Sequence, residues 1–151
     1  MKKLLICLML CLSLVACSST SSNIEGTLTE IMARVYEGIA EDEKPSMMME
    51  TEVTAENEQW YLGTDAIDYK EALASESAIG SIPHSVVLIR MNEGADVEEA
   101  KALLKESVDP NKWICVSAEE AIVESKGDLI IVILDGLGHA ETLKNNFLNL
   151  D

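Results

Sequence analysis

The side chains of this 151-residue chain that could do chemistry stand at a few places. Asp135-Gly136-Leu137-Gly138-His139 is a glycine-rich turn behind an apolar run and ahead of a helical pattern, where free backbone amides can hold an anion at a helix start. It lacks the third glycine and the downstream acid of a dinucleotide fingerprint, and no Gly-Lys-Ser/Thr phosphate loop occurs in the chain. A plain structural turn is the expectation. Asp135 and His139 are four residues apart, and His84 opens the other long apolar run. If the ends of those two strands met, the three groups could form a metal or acid–base site. In a parallel pair His84 would lie at the far end from Asp135, so the three are expected to stand apart. No serine sits in a strained glycine elbow, so a hydrolytic triad has no nucleophile.

Three other features invite chemistry and have plainer readings. Cys115 lies in Trp113-Ile114-Cys115-Val116, a strand-like run in which a thiol behaves as a small buried hydrophobe. A nucleophilic role would need a nearby base and some exposure. Met47-Met48-Met49 suggests cuprous copper, but consecutive side chains do not converge on one ion, so adaptable packing is expected. Residues 50–58 carry Glu50, Glu52, Glu56 and Glu58 without the alternating oxygen ligands and glycine turn of a calcium loop, which reads as a solvated connector. No catalytic, metal or cofactor set is expected.

The elements that must position these groups alternate. Thr27-Leu28-Thr29-Glu30 is a capping-box pattern, and Leu28, Ile31, Met32, Val35 and Ile39 recur at helical spacing until Pro45. Residues 59–62 read as a short aromatic strand, and Asp65 caps a helix over residues 65–77. Residues 85–91 form a strand, Asp96 caps a helix reaching Val108, and residues 113–116 form a short strand. Ser117-Ala118-Glu119-Glu120 repeats the capping box and predicts a helix to Ser125. Residues 129–134 are continuously apolar, so that strand is expected to be central and covered on both faces. A last helix carries Ala140, Leu143, Phe147 and Leu150. The rhythm predicts a single compact α/β domain, a small mixed β-sheet of three to four strands flanked by amphipathic helices, with a two-layer α+β sandwich as the alternative.

The start of the chain bears on location. Lys2 and Lys3, an apolar run over residues 4–14 and small residues before Cys17 make a secretory signal over residues 1–16 that is too short to span a bilayer as a helix. Leu14-Val15-Ala16-Cys17 resembles the bacterial lipobox, which implies a diacylglyceryl group on Cys17 and cleavage before it. Residues 17–26 then read as the lipidated cysteine and a flexible tether, and residues 27–151 as the globular domain. Cleavage also discards Cys7 and Cys11, and with Cys17 capped it leaves Cys115 as the one free thiol and no internal disulfide. The chain has 27 acidic and 11 basic side chains, and without Lys2 and Lys3 the charge is −18, which disfavours nucleic acid and anionic surfaces.

Thr27-Leu28-Thr29-Glu30-Ile31-Met32, Trp60-Tyr61-Leu62-Gly63, Tyr69-Lys70-Glu71-Ala72-Leu73-Ala74, residues 84–90 and residues 109–114 together resemble a family of small uncharacterised lipoproteins of Gram-positive anaerobes, a domain of unknown function. The resemblance implies the outer face of the cytoplasmic membrane and brings no activity or active-site residues. The leading expectation is a non-enzymatic, membrane-anchored module that binds or supports an envelope protein. A small-ligand or cation-binding lipoprotein is the alternative, and an envelope hydrolase acting through Asp135, His139, His84 and Cys115 is the third.

Overall fold

The computed structural model describes residues 23–151. The signal, the lipobox and Cys17 lie outside the described residues. Helices and strands combine as α1 (Leu28–Val35), β1 (Met48–Glu52), α2 (Glu58–Tyr61), β2 (Tyr69–Ser77), β3 (His84–Met91), α3 (Val97–Ser107), β4 (Glu120–Lys126), β5 (Leu129–Asp135) and α4 (Ala140–Leu148). One sheet runs β1-β2-β3-β5-β4. Its five strands are all antiparallel to their neighbours, where a mixed sheet of three to four was expected.

Every residue of β3 and of β5 is buried. Their runs carry no polar face, and each aliphatic side chain removed from water contributes about 1.5–3 kcal/mol, so both strands take interior places. The middle strand is β3, with β5 beside it. The pleat divides their side chains between two cores. Val86, Leu88, Leu129, Ile131 and Ile133 pack with Ile31, Val35, Leu143 and Phe147 of α1 and α4. Val87, Ile89, Ile130, Val132 and Leu134 pack on the other face with Leu62, Leu104 and Trp113. Helices therefore cover both faces, and the layers number three rather than two.

The helix signals at α1 hold: Thr27 Oγ1 accepts from the Glu30 N–H, and the Glu30 carboxylate accepts from the Thr27 N–H at 2.8 Å. The final helix also forms, with Ala140, Leu143 and Phe147 turned inward. Four other expectations fail. Residues 69–77 are a strand although Lys, Glu, Ala and Leu favour helix, because Ala72 and Ala74 alternate onto the α2–α3 face and complete its core. Residues 59–62, expected as a short strand, instead lie in the single helical turn Glu58–Tyr61 and its C-cap, Leu62. The capping-box pattern at Ser117 starts no helix. Glu120–Lys126 pairs with β5 through a two-residue turn, Gly127-Asp128, in which Gly127 takes φ +61°. Residues 113–116 form no strand, and Cys115 is exposed with φ +65°, contrary to the buried thiol expected.

The connector expected over residues 50–58 is in part a strand, since Met48–Glu52 pairs along β2 with Met48 opposite Ser77. Ile24, inside the segment read as tether, belongs to the packed core. Ile24 is 2 % exposed, and its carbonyl and that of Gly26 accept from the Arg90 guanidinium at 2.9 Å each. Glu71 and Asp128 pair with the same guanidinium. The chain thus enters the domain at the Met91 end of β3.

Candidate functional site

Two polar clusters are built where β3 begins, on opposite faces of the sheet. His84 and Ser85 are consecutive, so the pleat sends their side chains apart.

On the α1–α4 face, antiparallel pairing sets His84 directly opposite Asp135. This overturns the expectation that they stand at opposite ends. His84 Nδ1 is 2.7 Å from Asp135 Oδ1, and Tyr36 Oη is 2.7 Å from His84 Nε2. The other carboxylate oxygen, Asp135 Oδ2, accepts from the His139 N–H at 2.6 Å. The assignment that satisfies all atoms has Tyr36 O–H donating to Nε2 and Nδ1–H donating to the carboxylate. Burial pushes the Asp135 carboxyl up, but the His84 hydrogen bond and the His139 and Leu137 amides outweigh it and hold it below the usual carboxylate range. Burial also pushes the Tyr36 phenol far above its usual 10. The group is a neutral tyrosine, a histidine and a carboxylate in series.

That geometry settles the glycine-rich turn. Its His139 and Leu137 amides are taken by the chain's own Asp135 carboxylate, so they are not presented to an outside anion. Gly136 is needed for closeness: its N–H donates to Pro83 O at 2.9 Å, and a Cβ there would meet Pro83 Cγ at 2.7 Å. Gly138 takes φ +85° before α4. His139 does not join Asp135 through its ring, which instead reaches Glu43 O at 3.1 Å. His84 is 0 % and Asp135 1 % exposed, so solutes touch neither.

On the α2–α3 face, Lys112 Nζ lies 2.5 Å from Glu76 Oε2 and 3.1 Å from Ser85 Oγ. Its ammonium also stands 5.0 Å from the ring centroids of Trp60, Tyr61 and Trp113, within the range of cation–π attraction. Glu76 opposes Ser85 on the neighbouring strand, which fixes the carboxylate, and its second oxygen accepts from Trp60 Nε1 at 3.2 Å. Burial pulls the Lys112 ammonium below its usual range, while Glu76 pulls the other way. The loop from α2 approaches α3 closely here: Gly63 has φ +72°, and a Cβ on it would stand 1.9 Å from the Ser107 carbonyl oxygen. Above this buried pair is an open cleft of about 370 Å³, walled by Met49, Trp60, Trp113 and Ile114. Met49, Trp60 and Ile114 are 56 %, 45 % and 81 % exposed.

Of the cleft residues the sequence raised only Met49, in the methionine run weighed for copper and read as packing, while Trp60, Trp113 and Ile114 were read as strand residues. Trp60 and Tyr61 are adjacent but lie far from Trp113 in the chain, and only the fold brings the three around one lysine. Among the described residues no group of three or more His, Cys, Asp or Glu is placed to hold a metal ion, and the acids of residues 50–58 do not converge. No protein-family model, curated protein or solved structure matches the chain.

Proposed function

We propose that the chain is a non-enzymatic interaction module, anchored by lipid on Cys17 to the extracytoplasmic face of a cell membrane, that holds an envelope protein through the cleft of Trp60, Trp113 and Ile114. The observation that carries this reading is the exposure of Met49, Trp60 and Ile114 side by side over a buried charge pair. Aromatic residues and methionine are enriched at interface centres, and a rigid aromatic wall loses little entropy when covered. His84 and Asp135 are closed to solutes, at 0 % and 1 % exposure, which favours binding over hydrolysis.

The point of attachment supports the same reading. Six residues separate Cys17 from Ile24 in the sequence. Ile24 is clamped by Arg90, six residues along β3 from His84, so the cleft lies about 20 Å along the strand from the chain's entry. A partner can occupy it without competing with the membrane.

Photo-crosslinkers placed at Trp60 and Ile114 in intact cells test the surface, with Lys144 on α4 as the control site. The expected result is one discrete adduct from positions 60 and 114 and none from 144. Equal adducts from all three positions, or native protein whose mature N-terminus is an unmodified residue other than Cys17, would overturn the proposal.

A further inference from the structure

We infer that the outer edge of β1, next to the proposed cleft, accepts an extended polypeptide segment whose side chains alternate between basic and apolar, which joins the sheet as a sixth strand. This deepens the proposed function and rests on it. The backbone supplies the first argument. The Ala78 N–H donates to Met47 O at 3.0 Å, and the Val53 N–H to Ala72 O at 2.9 Å. Odd-numbered residues of β1 therefore turn their amide groups to β2, and by the antiparallel alternation Met48, Glu50 and Glu52 turn theirs outward. The Glu52 carbonyl is held by Asn57 Nδ2 at 3.0 Å. The amide and carbonyl of Met48 and of Glu50 have no partner among the described residues. Two adjacent outward residues on a regular strand are a template for strand addition.

The two faces beside that edge supply the second argument, because they differ in chemistry. On the α1 side a depression of about 580 Å³ is lined by Glu41, Asp42 and Glu50, against one lysine, Lys44, already paired to Glu41. On the opposite side lie Met49, Thr51, Trp60 and Ile114. A strand laid on β1 would send alternate side chains to these two faces. The acidic face fits ammonium or guanidinium groups, and the aromatic face fits branched aliphatic ones.

Charge also disfavours a second copy of this chain. Two-fold antiparallel pairing of two β1 edges would bring the acidic depressions of both copies, each with Glu41, Asp42 and Glu50, onto the same side of the joined sheet, and the register about Glu50 would set Glu50 against Glu50. We take the occupant to be a basic, extended segment of another protein.

The probe is a short synthetic peptide alternating lysine and valine, added to the full lipidated chain in detergent micelles while amide hydrogen exchange is followed. Slowed exchange at Met48 and Glu50, with affinity lowered about tenfold by Glu50→Lys and at least as much by Trp60→Ala, is the expected result. A peptide of the same composition with its lysines and valines in two blocks should bind at least tenfold more weakly. Equal binding of the block peptide, protection confined to other elements, or protection of Met48 and Glu50 before any peptide is added would overturn strand addition. The last outcome would mean that the edge is occupied by the chain's own first residues or by a second copy. If crosslinks from position 60 persist in cells while the alternating peptide leaves Met48 and Glu50 unprotected, strand addition fails and the proposed surface stands.

Discussion

The two polar clusters that flank the start of β3 are made of similar parts and differ in what covers them. On the α1–α4 face, Tyr36, His84 and Asp135 are sealed, and each polar atom meets a partner of this chain. On the α2–α3 face, Lys112 and Glu76 are nearly as deep, at 5 % and 13 % exposure, yet their roof is a set of aromatic rings that solvent reaches. A sealed network fixes three elements in one arrangement, since Tyr36 follows α1, His84 opens β3 and Asp135 closes β5. An open one holds a surface in readiness. The acid–base residues most visible in the sequence are thus closed into the core, and the surface proposed for binding lies over a lysine and three aromatics.

Removing one partner from the sealed cluster should have the largest effect. His84→Ala leaves the buried Asp135 carboxylate without its imidazole hydrogen bond and opens a cavity beside it, at a cost of about 3 kcal/mol or more. Chemical denaturation should show a midpoint shift of that size with an unchanged slope. Lys112→Met should cost less, about 2 kcal/mol, because the orphaned Glu76 retains some exposure and can hydrate. Adding Glu76→Leu to Lys112→Met should recover most of that loss. If Lys112→Met proved the more damaging of the two single changes, the division into a strut and a binding surface would be wrong.

The clusters should also separate on the pH axis. Asp135 is held below its usual value, so its contribution is complete above about pH 4 and is lost as the pH falls through the lower folded value. At the alkaline end the signs oppose. Tyr36 is raised, so the unfolded chain ionises first and stability falls as the pH climbs past 10. Lys112 is lowered, so the folded chain gives up its proton first, and stability rises as the pH approaches the lysine's usual 10.5. Tyr36→Phe should flatten the alkaline limb and Lys112→Met should steepen it, as read by thermal melts at successive pH values.

How much of this was legible follows from single elements. β3, β5, α1 and α4 were readable because a continuous apolar run or a capping box allows few alternatives. The orientation of β3 and β5 was lost through one misreading. With residues 113–116 taken as a strand and residues 117–125 as helix, the path from β3 to β5 looks like two successive helical crossovers, which join parallel strands. Once Glu120–Lys126 is a strand, the crossover through α3 ends on β4, and the hairpin at Gly127-Asp128 returns β5 antiparallel to β3. That reversal places His84 beside Asp135. Residues 120–126 carry Ile122 and Val123, and a two-residue glycine turn follows them, so the hairpin signal was present and the capping-box pattern overrode it. Cys115 was misjudged for a related reason, because a run of apolar letters was taken as a strand where Trp113 alone is buried.

The smallest expected change in stability is the sharpest test of the contrast. Trp60→Ala removes a half-exposed ring, one indole hydrogen bond to Glu76 and one of three aromatic faces about Lys112, a loss of about 1 kcal/mol. Tyr36→Phe should cost about 1–3 kcal/mol, because His84 Nε2 is left buried and unpaired. If the two clusters have the roles assigned to them, partner capture should run against this order. Trp60→Ala, the milder change, should abolish the crosslinked adduct reported from position 114, whereas Tyr36→Phe should leave that adduct intact at temperatures where the protein stays folded. Binding that followed stability in both variants would mean that the aromatic rim serves only to cover Lys112.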